Sequence, residues 1–253
     1  GRLTPALAEV KPVPTPDNDT TPSYTFFSTL SGTISYGGDC RDNTTPTATA
    51  GNNLITFEPL SAGDPRTTYD NCKISVDNNS KTSDNLSVSP FTIDTIAPTL
   101  DNVTIASDNT LNTTLAKIDD NITLSFTSSE TLKSKPSVEI AGREEGVTVT
   151  GDNRTWSAVY TMTSNDSDSG SQKLVSLNIE FKDLAGNPGS DIDNTTNGSA
   201  VWFDKTDPTL SSVTIASNNT LYTTMAKTGD NITLSFTSSE AIQTPSVSIA
   251  GQT

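Results

Sequence analysis

Apolar residues recur at every second position in a series of short runs. Val103 and Ile105 form one set, Ile122, Leu124 and Phe126 the next, then Val138 and Ile140. Trp156, Ala158, Tyr160 and Met162 continue the pattern, followed by Val175, Leu177, Ile179 and Phe181, and by Val201 and Phe203. Side chains of a strand alternate between its two faces, so a period of two predicts strands buried on one side. Gly, Asn, Asp and Pro separate the runs, and no stretch has the period of an amphipathic helix. About seven such strands in about 110 residues predict an all-β chain of the β-sandwich type, with Trp156 as a core anchor.

The first ninety or so residues carry the same pattern less cleanly. Strands are predicted at 23–27, 32–36, 53–57, 72–76 and 86–93. Gly37-Gly38 and Ala62-Gly63-Asp64-Pro65 read as turns. Pro12, Pro14 and Pro16 lack the N–H that a central strand needs, which makes this segment an extended edge or a linker.

One long segment is written twice. Residues 93–142 and 203–251 run in parallel with an offset of about 110 residues, including the identical words NITLSFTSSE. That period exceeds the roughly 20–50 residues of solenoid repeats and marks whole domains in tandem. Pro5, Leu7 and Val10 fall in register with Pro98, Leu100 and Val103, and with Pro208, Leu210 and Val213. Gly1 then stands where Asp94 and Asp204 stand in the later occurrences. The expected division is one domain at 1–93, a second at 94–203, and an incomplete copy of the second at 204–253. The pattern stops partway through that copy, so the sequence reads as a piece of a longer secreted chain.

Composition narrows the function. Only 32% of the residues are hydrophobic, so each core must be thin. A net charge of −15 argues against nucleic acid and against an anionic membrane surface, both of which call for a basic face. No stretch approaches the roughly 20 apolar residues of a helical membrane span. The chain has no histidine, so a Ser-His-Asp triad is impossible, and its acids recur in linkers and turns of a repeat; the expectation is a protein without enzymatic activity.

Two motifs carry a family resemblance over nearly the whole chain. Ile93-Asp94-Thr95-Ile96-Ala97-Pro98 and Phe203-Asp204-Lys205-Thr206-Asp207-Pro208 resemble the junctions of bacterial immunoglobulin-like tandem repeats. Lys182-Asp183-Leu184-Ala185-Gly186-Asn187 resembles the turn those repeats carry before their last strand, and Asp77-Asn78-Asn79 is a degraded version. The resemblance implies tandem immunoglobulin-like β-sandwich domains from a large adhesin-like protein of the bacterial cell surface, with calcium at domain junctions. It identifies no receptor.

Calcium takes six to eight oxygen ligands, and the acidic linkers and turns could supply them. Setting each turn against the linker that follows it places Asp77 with Asp94 at the first junction, and Asp183 and Asn187 with Asp204 at the second. Glu130 and its copy Glu240, at the ends of the repeated LSFTSSE strands, would point at junctions too, whereas Leu30 holds that position in the first domain. The alternative is that Asp94 and Asp204 only shape turns beside proline. Cys40 and Cys72 predict a structural disulfide. Lys117, Asn121 and Glu130 are the residue types of an intramolecular isopeptide bond, but that chemistry needs Lys and Asn on separate strands, and four residues apart along one chain is the wrong arrangement. Asn-x-Ser/Thr sequons recur, Asn43, Asn102 and Asn121 among them. Three readings follow: a spacer whose partners are the neighbouring repeats, a subunit that self-associates into a filament or sheath, or a module whose loops bind a glycan or protein.

Overall fold

Alternation becomes strands along the whole chain, and none of the described residues is helical. The computed structural model describes residues 3–41, 45–61, 66–168 and 172–251; Gly1, Asn43 and the turn at Ala62-Gly63-Asp64-Pro65 lie outside them. Among the described residues no helix is long and apolar enough to cross a membrane.

The first core is built from β1 (Leu7–Lys11), β2 (Ser23–Ser28), β3 (Gly32–Gly37), β4 (Thr47–Ala48), β5 (Gly51–Thr56), β6 (Thr67–Tyr69), β7 (Lys73–Asp77), β8 (Leu86–Ser87) and β9 (Phe91–Ile93). They form the antiparallel sheets β1-β2-β5, β4-β3-β7-β8 and β6-β9. Tyr24 and Phe26 of β2, Ile55 of β5, Ile74 and Val76 of β7, and Phe91 and Ile93 of β9 meet in the interior. Phe57 stacks between Tyr24 and Phe91 at ring separations of 6.0 and 6.2 Å. The single strand expected at 86–93 is two pieces, because Pro90 has no N–H to continue a ladder. The proline-rich entry keeps β1 at a sheet edge, paired with β2 alone.

The second core uses β10 (Leu100–Ser107), β11 (Leu115–Ala116), β12 (Asn121–Ser128), β13 (Ser137–Ile140), β14 (Thr148–Asp152), β15 (Thr155–Thr161), β16 (Lys173–Leu174), β17 (Leu177–Glu180) and β18 (Trp202–Phe203). The sheets are β10-β12-β15-β14 and β13-β17, both antiparallel, and β11-β18-β16, in which β11 and β18 run parallel. Every apolar residue named for this region from its period of two lies in one buried cluster, Trp156 included. The run from Val175 to Phe181 contributes all of its inward side chains although only part of it pairs as β17.

Two compact units divide the chain. One comprises residues 1–166 with 174–203 and holds both cores; the other comprises 167–173 with 204–253. The second unit carries the hairpin of β19 (Leu210–Ser217) and β20 (Ile232–Ser238). Repeated sequence yields repeated backbone: β10 bulges between Asp101 and Thr104 with Asn102 at φ 53°, and β19 bulges between Ser211 and Thr214 with Ser212 at φ 51°. Burial differs, however. Leu210, Val213 and Ile215 are exposed, while their counterparts Leu100, Val103 and Ile105 are buried.

Candidate metal centre

Strand direction decides which loops share an end of the second core. The chain enters at Asp94 and β10 leads away from that point. β12 returns antiparallel, Leu100 opposite Ser128, so Glu130 emerges beside the entry. β13 leads away again and β17 returns, Ser137 opposite Glu180, which brings Asp183 back to the same end, bridged to Leu132.

Carboxylate oxygens of Asp94, Glu130 and Asp183 consequently lie within 4.8 Å of one another. Asp94 and Asp183 are 1% and 0% exposed, and Glu130 is partly exposed. Asp94 Oδ1 accepts the Ile96 N–H at 3.1 Å, a short turn that aims the other oxygen away from the linker. Asp183 Oδ1 accepts the N–H groups of Gly186 and Asn187 at 2.7 and 2.8 Å. Closing that turn requires Gly186 at φ 103°, a conformation L side chains rarely adopt. The Asn187 amide then donates to Asp183 Oδ2 at 2.8 Å, to the Asp94 carbonyl at 2.9 Å and to the Ile96 carbonyl at 3.3 Å.

Arg66, immediately ahead of β6 in the first core, reaches into this cluster. Its Nε lies 2.5 Å from Asp94 Oδ2, and its Nη2 pairs with Glu130 Oε2. Three carboxyl groups converge where Arg66 pairs with two of them, and Arg154 also acts on Glu130 through its charge. Two like charges 4.8 Å apart repel by roughly 3 kcal/mol at an effective dielectric of about 20. Burial pushes the Glu130 carboxyl above its usual range; Arg66 opposes the rise, and the charges of Asp94 and Asp183 add to it. All the donors are hard oxygens, the chain has no histidine and both cysteines are in a disulfide, which suits calcium or magnesium and not zinc or copper. A divalent ion would offset the repulsion among the carboxylates.

The predicted grouping is therefore redrawn. Asp183 and Asn187 reach back to Asp94, in the linker before their own core, whereas the motif order pairs them with Asp204. β17 returns to the end at which the chain enters its core, which brings the Asp183 turn to the linker ahead of it. Asp77 is committed locally: Oδ1 accepts the Asn79 N–H at 2.7 Å and Oδ2 the Thr82 hydroxyl at 2.7 Å. Asp204 accepts the Thr206 N–H at 2.9 Å, the same turn that Asp94 makes with Ile96. Glu240 repeats the turn of Glu130, with the Ser238 hydroxyl donating to its carbonyl as Ser128 does to that of Glu130. Ser28 makes this bond to Leu30 as well, at 2.7 Å, so the turn survives in the first core without its carboxylate.

Lys117 places its ammonium 3.4 Å from Asp120, and Asn121 donates to Asp108 at 2.8 Å, so neither faces the other as an isopeptide bond requires. Nothing local in the sequence marks Arg66, because a residue ahead of a short strand has no periodicity to betray its partner. Its one available signal was scarcity, as Lys and Arg number 15 against 30 acids.

Cys40 and Cys72 form a buried disulfide with S–S 2.01 Å and Cα–Cα 4.9 Å. Such a bond points to an oxidising, extracellular-type compartment. The chain matches no protein-family model, and comparisons with curated proteins and with solved structures find no match.

Proposed function

We propose that this chain is a non-enzymatic structural segment of a bacterial extracellular, adhesin-like surface protein. In this reading its cores are tandem immunoglobulin-like β-sandwiches that act as spacers, and a calcium ion stiffens the linker at Asp94. The observation that carries the reading is the group of Asp94, Glu130 and Asp183, the two aspartates buried, whose three carboxyl groups converge on one place. Without a divalent ion, Arg66 and the Asn187 amide hold the linker against the repulsion of the carboxylates. With one, the linker aspartate and two loops of the second core bind a common centre. The disulfide and the acidic surface fit life outside the cell.

The test is a thermal melt together with solution scattering of residues 1–253, in calcium and in chelator. A melting temperature that rises with calcium and falls on chelation, with a longer and stiffer particle in calcium, is the expected result. Identical melts and identical scattering in the two conditions would sink the clamp.

A second reading, a subunit that assembles through strand or domain contacts, draws on the exposed apolar side of β19, where Leu210, Val213 and Ile215 face solvent. Sedimentation that is independent of concentration would remove it.

A further inference from the structure

The hairpin of β19 and β20 is the hairpin of β10 and β12 written again, and the earlier one shows what such a hairpin meets. The register is the same, Leu210 opposite Ser238 as Leu100 is opposite Ser128. In the second core the other edge of β12 is taken by β15, antiparallel, with Phe126 opposite Trp156, Leu124 opposite Ala158 and Ile122 opposite Tyr160. Directly opposed residues share a face of the sheet, and all six are buried. β20 repeats β12 residue for residue from Ile232 to Ser238, yet among the described residues its one strand partner is β19. Val213 and Ile215 are 56% and 63% exposed, where Val103 and Ile105 are 0% and 4% exposed. Nor is the edge guarded. ITLSFTS holds no charge and no proline, the usual devices against strand addition. By contrast β1, at a sheet edge in the first core, carries Glu9 and Lys11.

We propose that β20 is an acceptor for a polypeptide strand in trans, of the pattern aromatic-x-small-x-aromatic that β15 carries as Trp156, Ala158 and Tyr160. The strand adds antiparallel to the free edge of β20. It sets an aromatic residue opposite Phe236, a small one opposite Leu234 and an aromatic one opposite Ile232. Main-chain hydrogen bonds give the affinity, and the alternate side chains give the selectivity. The inference is independent of the ion at Asp94. It gives the exposed face an occupant other than the second copy that the assembly reading calls for.

A fluorescent peptide of residues 153–163, titrated into the full chain and followed by anisotropy, tests it. The like edge of β12 is filled from within the chain, so the probe competes there at a disadvantage and reports on β20. The expected result is saturable binding that is lost when Ser replaces both Trp156 and Tyr160 of the peptide. Binding should be about tenfold weaker to Ile215→Asp, the loss of one large apolar contact. A peptide with Ser157→Cys should cross-link to the chain with Ser235→Cys in preference to Thr233→Cys or Thr237→Cys, since Ser157 lies opposite Ser125, the counterpart of Ser235. No binding, equal binding of the serine peptide, or indiscriminate cross-linking overturns the proposal. So does self-association of the chain alone that Ile215→Asp abolishes, which makes a second copy the occupant. Val213→Ser replaces Ile215→Asp should circular dichroism show the latter unfolded.

Discussion

The side-chain amide of Asn187 donates to the backbone carbonyl of Asp94, 2.9 Å away and 93 residues earlier in the chain. The same amide binds Asp183 Oδ2, so one side chain staples the entering linker to the last tight turn of the second core. Asn187 is 8% exposed, and removing it leaves a buried carbonyl and a buried carboxylate each short of a donor. Asn187→Ala is expected to destabilise the second core by about 1–3 kcal/mol, the usual cost of stranding buried polar groups. Urea denaturation measures it, and an unchanged midpoint would show that water replaces the amide at no cost.

Glu130 sits between Arg66, Asp94 and Asp183, in an environment that disfavours its charge. Glu130→Gln relieves repulsion while deleting an ion ligand. In chelator the variant should melt at or above the wild-type temperature, and the calcium-dependent rise should vanish. At calcium 100-fold above its dissociation constant, the wild type should gain about 2.7 kcal/mol. A variant that keeps the full calcium response would remove Glu130 from the centre.

Gly186 holds the turn of Asp183 at φ 103°. A Cβ there meets nothing nearer than 3.7 Å, so space is not the obstacle to a larger residue. Gly186→Ala should still cost about 1–3 kcal/mol, because backbone strain alone is at issue. It should also weaken any calcium response by displacing the Asp183 carboxylate. A neutral substitution would mean that the turn has an alternative, relaxed conformation.

Asp166 is nearly buried, and burial alone would raise its carboxyl. The N–H and hydroxyl of Thr163, the guanidinium of Arg143 and the Tyr160 hydroxyl outweigh burial and hold it below the usual range. Asp120 and Glu9 are lowered in the same way, burial being outweighed by hydrogen bonds from Lys117 and Asn109 and from Ser89 and Tyr24 respectively. A depressed folded pKa means that the unfolded chain takes up protons first. These groups contribute fully above the ordinary carboxylate values near 4, and the contribution is lost as pH falls through the depressed ones. Glu130, being raised, has the opposite sign, and its effect turns unfavourable as pH rises through its folded value. Wild type should therefore lose stability steeply below about pH 4. Asp166→Asn should be less stable at neutral pH and lose less on acidification; parallel curves for the two proteins would exclude Asp166 as a contributor.

The Cys40–Cys72 bond closes a loop across a sequence separation of 32. Loop-closure entropy gives roughly 3–4 kcal/mol for a loop of that length. Reduction, or Cys40→Ser with Cys72→Ser, should lower the stability of the first core by that amount. The second core has its own buried cluster and should be unaffected. Intrinsic fluorescence in denaturant, with and without reductant, reads the difference, and equal loss in both cores would show that they unfold as one.

Periodicity carried the strands because burial on one face of a sheet leaves its mark on neighbouring residues. Ile122, Leu124 and Phe126 announce β12 without reference to anything distant, and the duplicated segment announces a duplicated bulge. Very short strands such as β4, β6 and β11 were missed, since two or three residues hold too little alternation to be seen. The disulfide was legible because the chain has two cysteines, which leaves one pairing within it. The meeting of Asp94, Glu130 and Asp183 was legible residue by residue but not as a group. Each acid stood out by its place in a turn or linker, yet which turns meet depends on how many times the chain reverses between them. Arg66 was invisible, being separated by 64 residues from Glu130 and marked by no pattern. Local chemistry writes itself into the sequence, whereas an encounter between distant loops is decided by the direction in which each intervening strand runs, and that only the folded chain specifies.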